Sequence, residues 1–180
     1  MLNKQYTSML QEKDVIFEIF QYATERAKVV GAENIYDFSL GNPSVPAPSI
    51  VNETIVQKVN TLDPLALHGY SPSFGIMDTR EKIAAFLNKK YGSSYKASNI
   101  FMAIGAAGAL AHAFRAVTNP GDEIITFAPC FSEYKPYTAG AGLKLTIIPA
   151  DIDTFQINFA AFEAQLNENT TAVLINSPIP

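Results

Sequence analysis

Phe101-Met-Ala-Ile-Gly105-Ala-Ala-Gly-Ala-Leu110 is the stretch that decides the fold. Phe101 to Ile104 is a short apolar run of the length of a buried strand. Five small residues follow, and Leu110, Phe114 and Val117 then recur at helical spacing. The order is therefore strand, glycine-containing turn, helix. A helix that starts this way directs its first backbone N–H groups at whatever lies in front of it, and small side chains admit a close ligand, most often a phosphate. The same residues would also suit simple tight packing of a helix on a sheet. The stretch is neither GxGxxG nor GxxxxGK, so neither the dinucleotide nor the P-loop fingerprint applies.

Downstream, the pattern repeats. Asn119-Pro-Gly-Asp122 is a turn, and Glu123–Ala128 reads as a strand. Pro129-Cys-Phe-Ser-Glu-Tyr134 opens a helix expected to run to Ala139. Leu143–Ala150 is the next strand, Phe159–Leu166 a short helix and Thr171–Asn176 a further strand. Strands alternating with helices predict an α/β fold, a mainly parallel sheet in a three-layer α/β/α arrangement. Ligands in open sheets of this kind bind beyond the carboxyl ends of the strands. The Gly-Ala turn, Pro129 to Phe131 and Asn176 to Pro178 all fall at such ends.

Upstream, residues 1–8 read as a polar arm. From Met9 to Val30 the apolar positions Val15, Ile16, Ile19, Phe20, Ala23, Ala27 and Val30 recur every three or four residues, which predicts an amphipathic helix stopped by Gly31. Its stripe is expected to join the core of this chain. Ile35–Leu40 alternates like a short strand and runs into a loop with prolines at 43, 46 and 48. Ser49 is expected to cap a helix to Leu62 that Asp63-Pro64 breaks. A turn-rich loop covers Leu67 to Gly75. Asp78 is expected to cap a helix to Tyr91, with Ile83, Ala84, Phe86 and Leu87 on its inner face and Gly92 at its end. This organisation suggests an arm, helix and loop over 1–48, a helical segment over 49–98 and an α/β domain starting at 99 and running to 180.

Composition excludes several classes. The net charge is −4 and the pI about 5.1, with no lysine or arginine cluster, which argues against a nucleic-acid partner. No apolar run approaches the length of about 18 residues that a membrane-spanning helix needs. The polar N-terminus lacks a secretory h-region. A single cysteine, Cys130, forms no intrachain disulfide and fits a reducing, cytoplasmic compartment. It is expected to be a small buried residue rather than a nucleophile. His68 and His112 lack partners at metal-ligand spacing, so no metal site is expected. Asp151 and Asp153 read as a solvated loop pair.

Six segments, in order, resemble the class I/II aminotransferases, pyridoxal-phosphate enzymes of fold type I. They are Gly41-Asn-Pro43, Tyr70-Ser-Pro-Ser-Phe-Gly75, Gly105-Ala-Ala-Gly-Ala109, Pro120-Gly-Asp-Glu123, Ala128-Pro-Cys-Phe-Ser-Glu-Tyr134 and Asn176-Ser-Pro178. The resemblance covers nearly the whole chain but only the N-terminal portion of the family. It implies pyridoxal 5′-phosphate as cofactor, an amino acid and a 2-oxo acid as substrates, and a homodimer to which the helix at 9–30 contributes. It implies that Gly105 and the N–H groups of Ala106 and Ala107 hold the cofactor phosphate. It further implies that Phe131 stacks on the pyridine ring, that Tyr70 reaches the phosphate of the neighbouring subunit and that Gly41 lies near the substrate carboxylate. By the residues alone, Phe131 could as well be core and Tyr70 a loop aromatic packed on Pro72.

The sequence also departs from the family. After Asn176-Ser-Pro178 comes Ile179-Pro180, not the family's Asn-Pro-Thr/Ser-Gly, so the asparagine that contacts the pyridoxal hydroxyl has no counterpart. No lysine here sits in the motif of the Schiff-base lysine. Neither the aspartate that pairs with the pyridine nitrogen nor the arginine that binds the substrate carboxylate is found. No catalytic residue is therefore assigned, and the chain is expected to be an inactive fragment. Its strands at 100–104 and 171–176 would lack partners, with edges covered by self-association or re-pairing. Two other readings remain: a non-catalytic module that binds pyridoxal phosphate or another phosphometabolite weakly or simply assembles with a partner, and a lyase or synthase of the same fold.

Overall fold

The computed structural model describes residues 4–9, 15–39, 41, 44–154 and 156–177. The chain divides into two compact units. One comprises the described residues of 1–42 and 110–180, the other those of 43–109, and the division falls inside the helix Gly105–Val117.

In the first unit three strands, β1 (Glu123–Phe127), β2 (Lys144–Ile148) and β3 (Thr170–Leu174), form one parallel sheet in the order β2-β1-β3. The central strand is almost wholly buried, as parallel strands covered on both faces are. Ile124 presents one face, which packs with Leu143, Leu145, Ala172 and Leu174 and with Phe114 of α6, the helix Gly105–Val117. Tyr137 of α7 (Tyr134–Gly140) joins that cluster. On the opposite face Phe127 meets Phe162 of α8 (Phe159–Gln165), with ring centroids 5.5 Å apart. Helices therefore cover both faces, and the α/β/α layering expected from the alternation is present. Gly121, at φ 96°, turns the chain into β1 and its N–H donates to Gly142 O at 2.9 Å.

The N-terminal part of this unit departs from expectation. Lys4–Met9 is a helix, α1, where a polar arm was expected; residues 10–14 lie outside the described residues. Helix α2 spans Val15–Val30 and ends at Gly31, φ 89°. No residue of α2 is buried, and Phe17 and Ile19 are about half exposed. Its apolar stripe therefore does not enter the core of this chain, contrary to the reading from sequence. Ile35–Ser39 forms no strand, and Tyr36 and Phe38 are exposed. Alternation alone does not make a strand without a neighbour to share its hydrogen bonds.

The second unit is helical. Helix α3 is Ser49–Thr61; Pro48 stands at its cap position and no side chain caps it, so Ser49 is the first helical residue rather than the cap. Asp63 does cap, accepting from the N–H groups of Leu65 and Ala66 at 3.0 and 3.1 Å. It starts a five-residue helix, α4 (Pro64–His68), in part of what reads as loop. Helix α5 runs Met77–Tyr91 and ends on Gly92 at φ 66°. Asp78 lies inside its first turn, paired with Lys82 at 2.7 Å, and is not the cap. On the expected inner face Ala84 is buried, whereas Phe86 is exposed beneath the Lys90 ammonium, 5.7 Å from the ring centroid.

Phe101–Ile104 is the largest correction to the reading from sequence. It is not a strand, and Ile104 is almost fully exposed. The three-stranded sheet does not extend to it. An apolar run becomes a strand only where another strand satisfies its N–H and C=O groups. Helix α6 nevertheless begins at Gly105, where the small-residue run predicts a turn.

Candidate functional site

Helix α6 has thirteen residues. The N–H of Gly108 donates to Ile104 O at 3.3 Å, closing the first helical turn. The N–H groups of Gly105, Ala106 and Ala107 precede that bond and are among the donors a helix start leaves unsatisfied within itself. Gly105 takes φ 65°, a left-handed conformation that costs a side-chain-bearing residue about 1 kcal/mol or more. A Cβ placed there would meet nothing within 4 Å, and Gly105, Ala106 and Ala107 are all exposed. Bare donors, an open approach and the positive end of a helix dipole suit a phosphate group.

At the carboxyl ends of β1 and β3 lies a cleft of about 240 Å³ lined by Thr126, Phe127, Pro129, Cys130, Asn176 and Ser177 among others. Thr126 Oγ1 donates to Leu174 O at 2.9 Å and ties the two strand ends. Two of the three segments expected at strand ends are thus brought together within the first unit. Pro178, at the end of the third, lies outside the described residues, as do Asn42 and Pro43. The cleft also takes Gln156 and Ile157, which carried no signal in the sequence.

Phe131 follows this rim. It is 47% exposed, and its ring stands edge-on to Tyr134 at 5.8 Å and 81°. Half-exposed aromatic surface beyond a strand end can accept a flat heteroaromatic ring. Cys130 is half-buried, and burial pushes its thiol up from the ordinary value against the pull of Lys135, so it is held as the neutral thiol. Tyr70, in the second unit, is fully exposed after α4, with no packing against Pro72 evident from its exposure. Gly41 is exposed, and a Cβ added to it would meet no other atom within 4 Å. Asp151 closes its own loop by accepting the N–H groups of Thr154 and Asp153 at 2.9 and 3.0 Å, which lowers its pKa, Thr154 most strongly.

The family model described as aminotransferase class I and II matches residues 32–179. The chain belongs to the class I and II aminotransferases. It is 31% identical over 157 residues to an aspartate aminotransferase of Thermotoga maritima, covering 87% of this chain and 41% of that protein. A methionine aminotransferase of Escherichia coli is 28% identical over 156 residues, 86% of this chain and 39% of its own length. Among solved structures, an aminotransferase from Eubacterium rectale superposes with a TM-score of 0.91 at 46% identity, over 99% of this chain and 45% of that one. This aminotransferase chain thus spans about two fifths of the length of the curated relatives it matches.

Taken singly, the start of α6 offers donors and space for a phosphate, and in the other unit Phe131 offers a partly exposed aromatic ring. Among the lysines, Lys28, Lys82 and Lys144 are engaged with Glu25, Asp78 and Glu123.

Proposed function

We propose that this chain supplies the phosphate cradle and the ring-stacking aromatic of an aminotransferase that uses pyridoxal 5′-phosphate to move an amino group from an amino acid to a 2-oxo acid. The observation that carries the reading is the start of α6: three backbone N–H groups ahead of the first helical hydrogen bond, opened by Gly105 at φ 65°. Bound there, the cofactor would act as an electron sink for bonds at the amino-acid α-carbon. Gly105, Ala106 and Ala107 would hold its phosphate and Phe131 would lie against its ring. Tyr70 would reach the phosphate held by a second copy, and Gly41 would border the substrate carboxylate. The exposed stripe of α2 would pack in a homodimer, in a cytoplasmic setting. The named activities of the relatives include both aspartate and methionine transamination, so the donor is left at the level of an amino acid.

The 180 residues alone would bind the phosphate but not transaminate, since no lysine among them stands in the family's Schiff-base motif. The test is intact mass after incubation with pyridoxal 5′-phosphate and borohydride reduction, beside an assay of amino donors. The expected mass is that of the 19.6 kDa chain without a single-site adduct, and no turnover. Transamination by a verified 180-residue chain would overturn the proposal.

A further inference from the structure

We propose that Gly75 is a positioning residue for the phosphate-binding turn, because its lack of a side chain seats Met102 and so sets where α6 begins. The inference rests on the reading of Gly105–Ala107 as the phosphate cradle. All of its residues lie in the unit of residues 43–109.

Since Phe101–Ile104 is not held by a strand ladder, something else must fix the chain that delivers Gly105. The contacts form a zipper. Phe74 meets Phe101 edge-on, with centroids 6.0 Å apart at 78°. One residue on, a Cβ at Gly75 would fall on Met102 Cγ and lie 3.0 Å from Met102 Cβ, with Arg80 Cδ at 3.9 Å. Gly75 also takes φ 91°, and its N–H donates to Pro72 O at 2.8 Å, so the loop is folded back on itself at that point. Helix α5 completes the frame. Arg80, nine-tenths buried, donates from Nη1 to Ala97 O at 3.1 Å, while its Nε is buried without a hydrogen-bond partner among the described residues. Asn88 donates to Tyr95 O at 2.8 Å and accepts the Tyr95 N–H at 2.7 Å. These bonds hold residues 95–97 against α5, and the Gly75–Met102 seat holds the following residues against the loop. Met102 stands three residues before Gly105. Pushing its side chain outward would move the turn, and a misplacement of about 1 Å is enough to weaken preorganised donors severely.

The test compares pyridoxine 5′-phosphate with pyridoxine by calorimetric titration of the 180-residue chain; neither probe carries an aldehyde, so lysines do not react. The native chain should prefer the phosphorylated probe. Gly75→Ala should cut that preference about tenfold, the factor that about 1.4 kcal/mol represents. Adding Met102→Ala to Gly75→Ala should restore most of it, although the strained φ remains. Met102→Phe, which keeps Gly75 and presses the same seat from the other side, should lower the preference as well and serves if Gly75→Ala does not fold. An unchanged preference in a folded Gly75→Ala or Met102→Phe chain overturns the proposal and leaves the cradle intact. Failure of the double variant to recover also overturns it, by assigning the loss to backbone strain. If the native chain shows no preference for the phosphorylated probe, the cradle reading falls, and this proposal with it.

Discussion

Asn167 Nδ2 donates to Glu123 Oε1 at 2.9 Å, joining the loop before β3 to the first residue of the central strand. Glu123 is 1% exposed. Thr170 Oγ1 donates to the same oxygen at 3.3 Å, Thr146 Oγ1 to the other at 2.9 Å, and the Lys144 ammonium pairs with it. One carboxylate thus gathers donors from β2, from β3 and from the loop ahead of β3, at the end of the sheet opposite the cleft. A buried carboxylate is tolerable only when so fully partnered.

The pH dependence of stability follows. Lys144 is the largest influence and holds the Glu123 carboxyl below its ordinary value of 4.5, helped by Thr146 and Asn167 and opposed by burial. Asp122, whose carboxylate accepts the Asn119 N–H at 2.8 Å, is lowered in the same way. A lowered folded-state pKa means that the unfolded chain binds more protons in this range. The stabilisation is therefore complete above the ordinary carboxylate range and is lost as pH falls through the folded-state values. Urea midpoints should be level from neutral pH down to about pH 5 and drop below it, and Glu123→Gln should flatten that drop.

Removing the two ends of the ion pair should have unequal effects. Glu123→Ala removes the buried acceptor that half-buried Thr146 and exposed Asn167 donate to, empties a buried position, and should cost about 2 kcal/mol. Lys144 is largely exposed, so Lys144→Ala should cost below about 1 kcal/mol. Chemical denaturation of the two variants checks the asymmetry; equal losses would mean that the charge pair, not the buried hydrogen bonds, matters most.

The sheet strands at 123–127, 144–148 and 170–174 were legible because each is an apolar run between turn formers. Phe101–Ile104 has the same pattern and is no strand, since the pattern reports burial propensity and not whether a neighbour is present to pair. Ile35–Ser39, the described part of the expected strand Ile35–Leu40, misled for that reason too. The short helix at Pro64–His68 was visible in principle, as Asp63-Pro64 is both a helix breaker and a cap followed by proline at the first helical position. The turn at Gly105 was legible from its small residues. By contrast, the Glu123 clasp and the seat of Met102 on Gly75 depend on residues 21 to 47 and 27 positions apart and leave no local mark. Nor did periodicity reveal that α2 has no core to enter.

Cys130 should be a sluggish nucleophile. Burial raises its pKa above the ordinary value of 9.0, so little thiolate is present at neutral pH. The rate of alkylation by iodoacetamide should rise at higher pH than for an unfolded control, and Cys130→Ser should leave the fold unchanged. A fast reaction at neutral pH would contradict the neutral-thiol assignment.

Exposure along α2 predicts association. Ile19 and Phe20 are well exposed on a helix with no buried residue. Sedimentation should show a concentration-dependent dimer, and the pair Ile19→Asp, Phe20→Asp should yield monomer with unchanged helix content. A native chain that is monomeric at high concentration would remove α2 from the proposed interface.

A charge at the start of α6 separates helix stability from anion binding. Ala106 is exposed in the first turn, where an aspartate interacts favourably with the helix dipole by about 0.3–1 kcal/mol. Ala106→Asp should therefore leave the melting temperature unchanged or slightly raised. The same carboxylate would stand where the phosphate is proposed to sit, so pyridoxine 5′-phosphate should bind at least about tenfold more weakly while pyridoxine is unaffected. If the variant is more stable and the phosphorylated probe binds as before, the phosphate does not contact this turn, and the small residues of 105–109 serve packing alone. If stability and phosphate affinity part in opposite directions, the bare N–H groups are a binding feature, because a packing role would move both together.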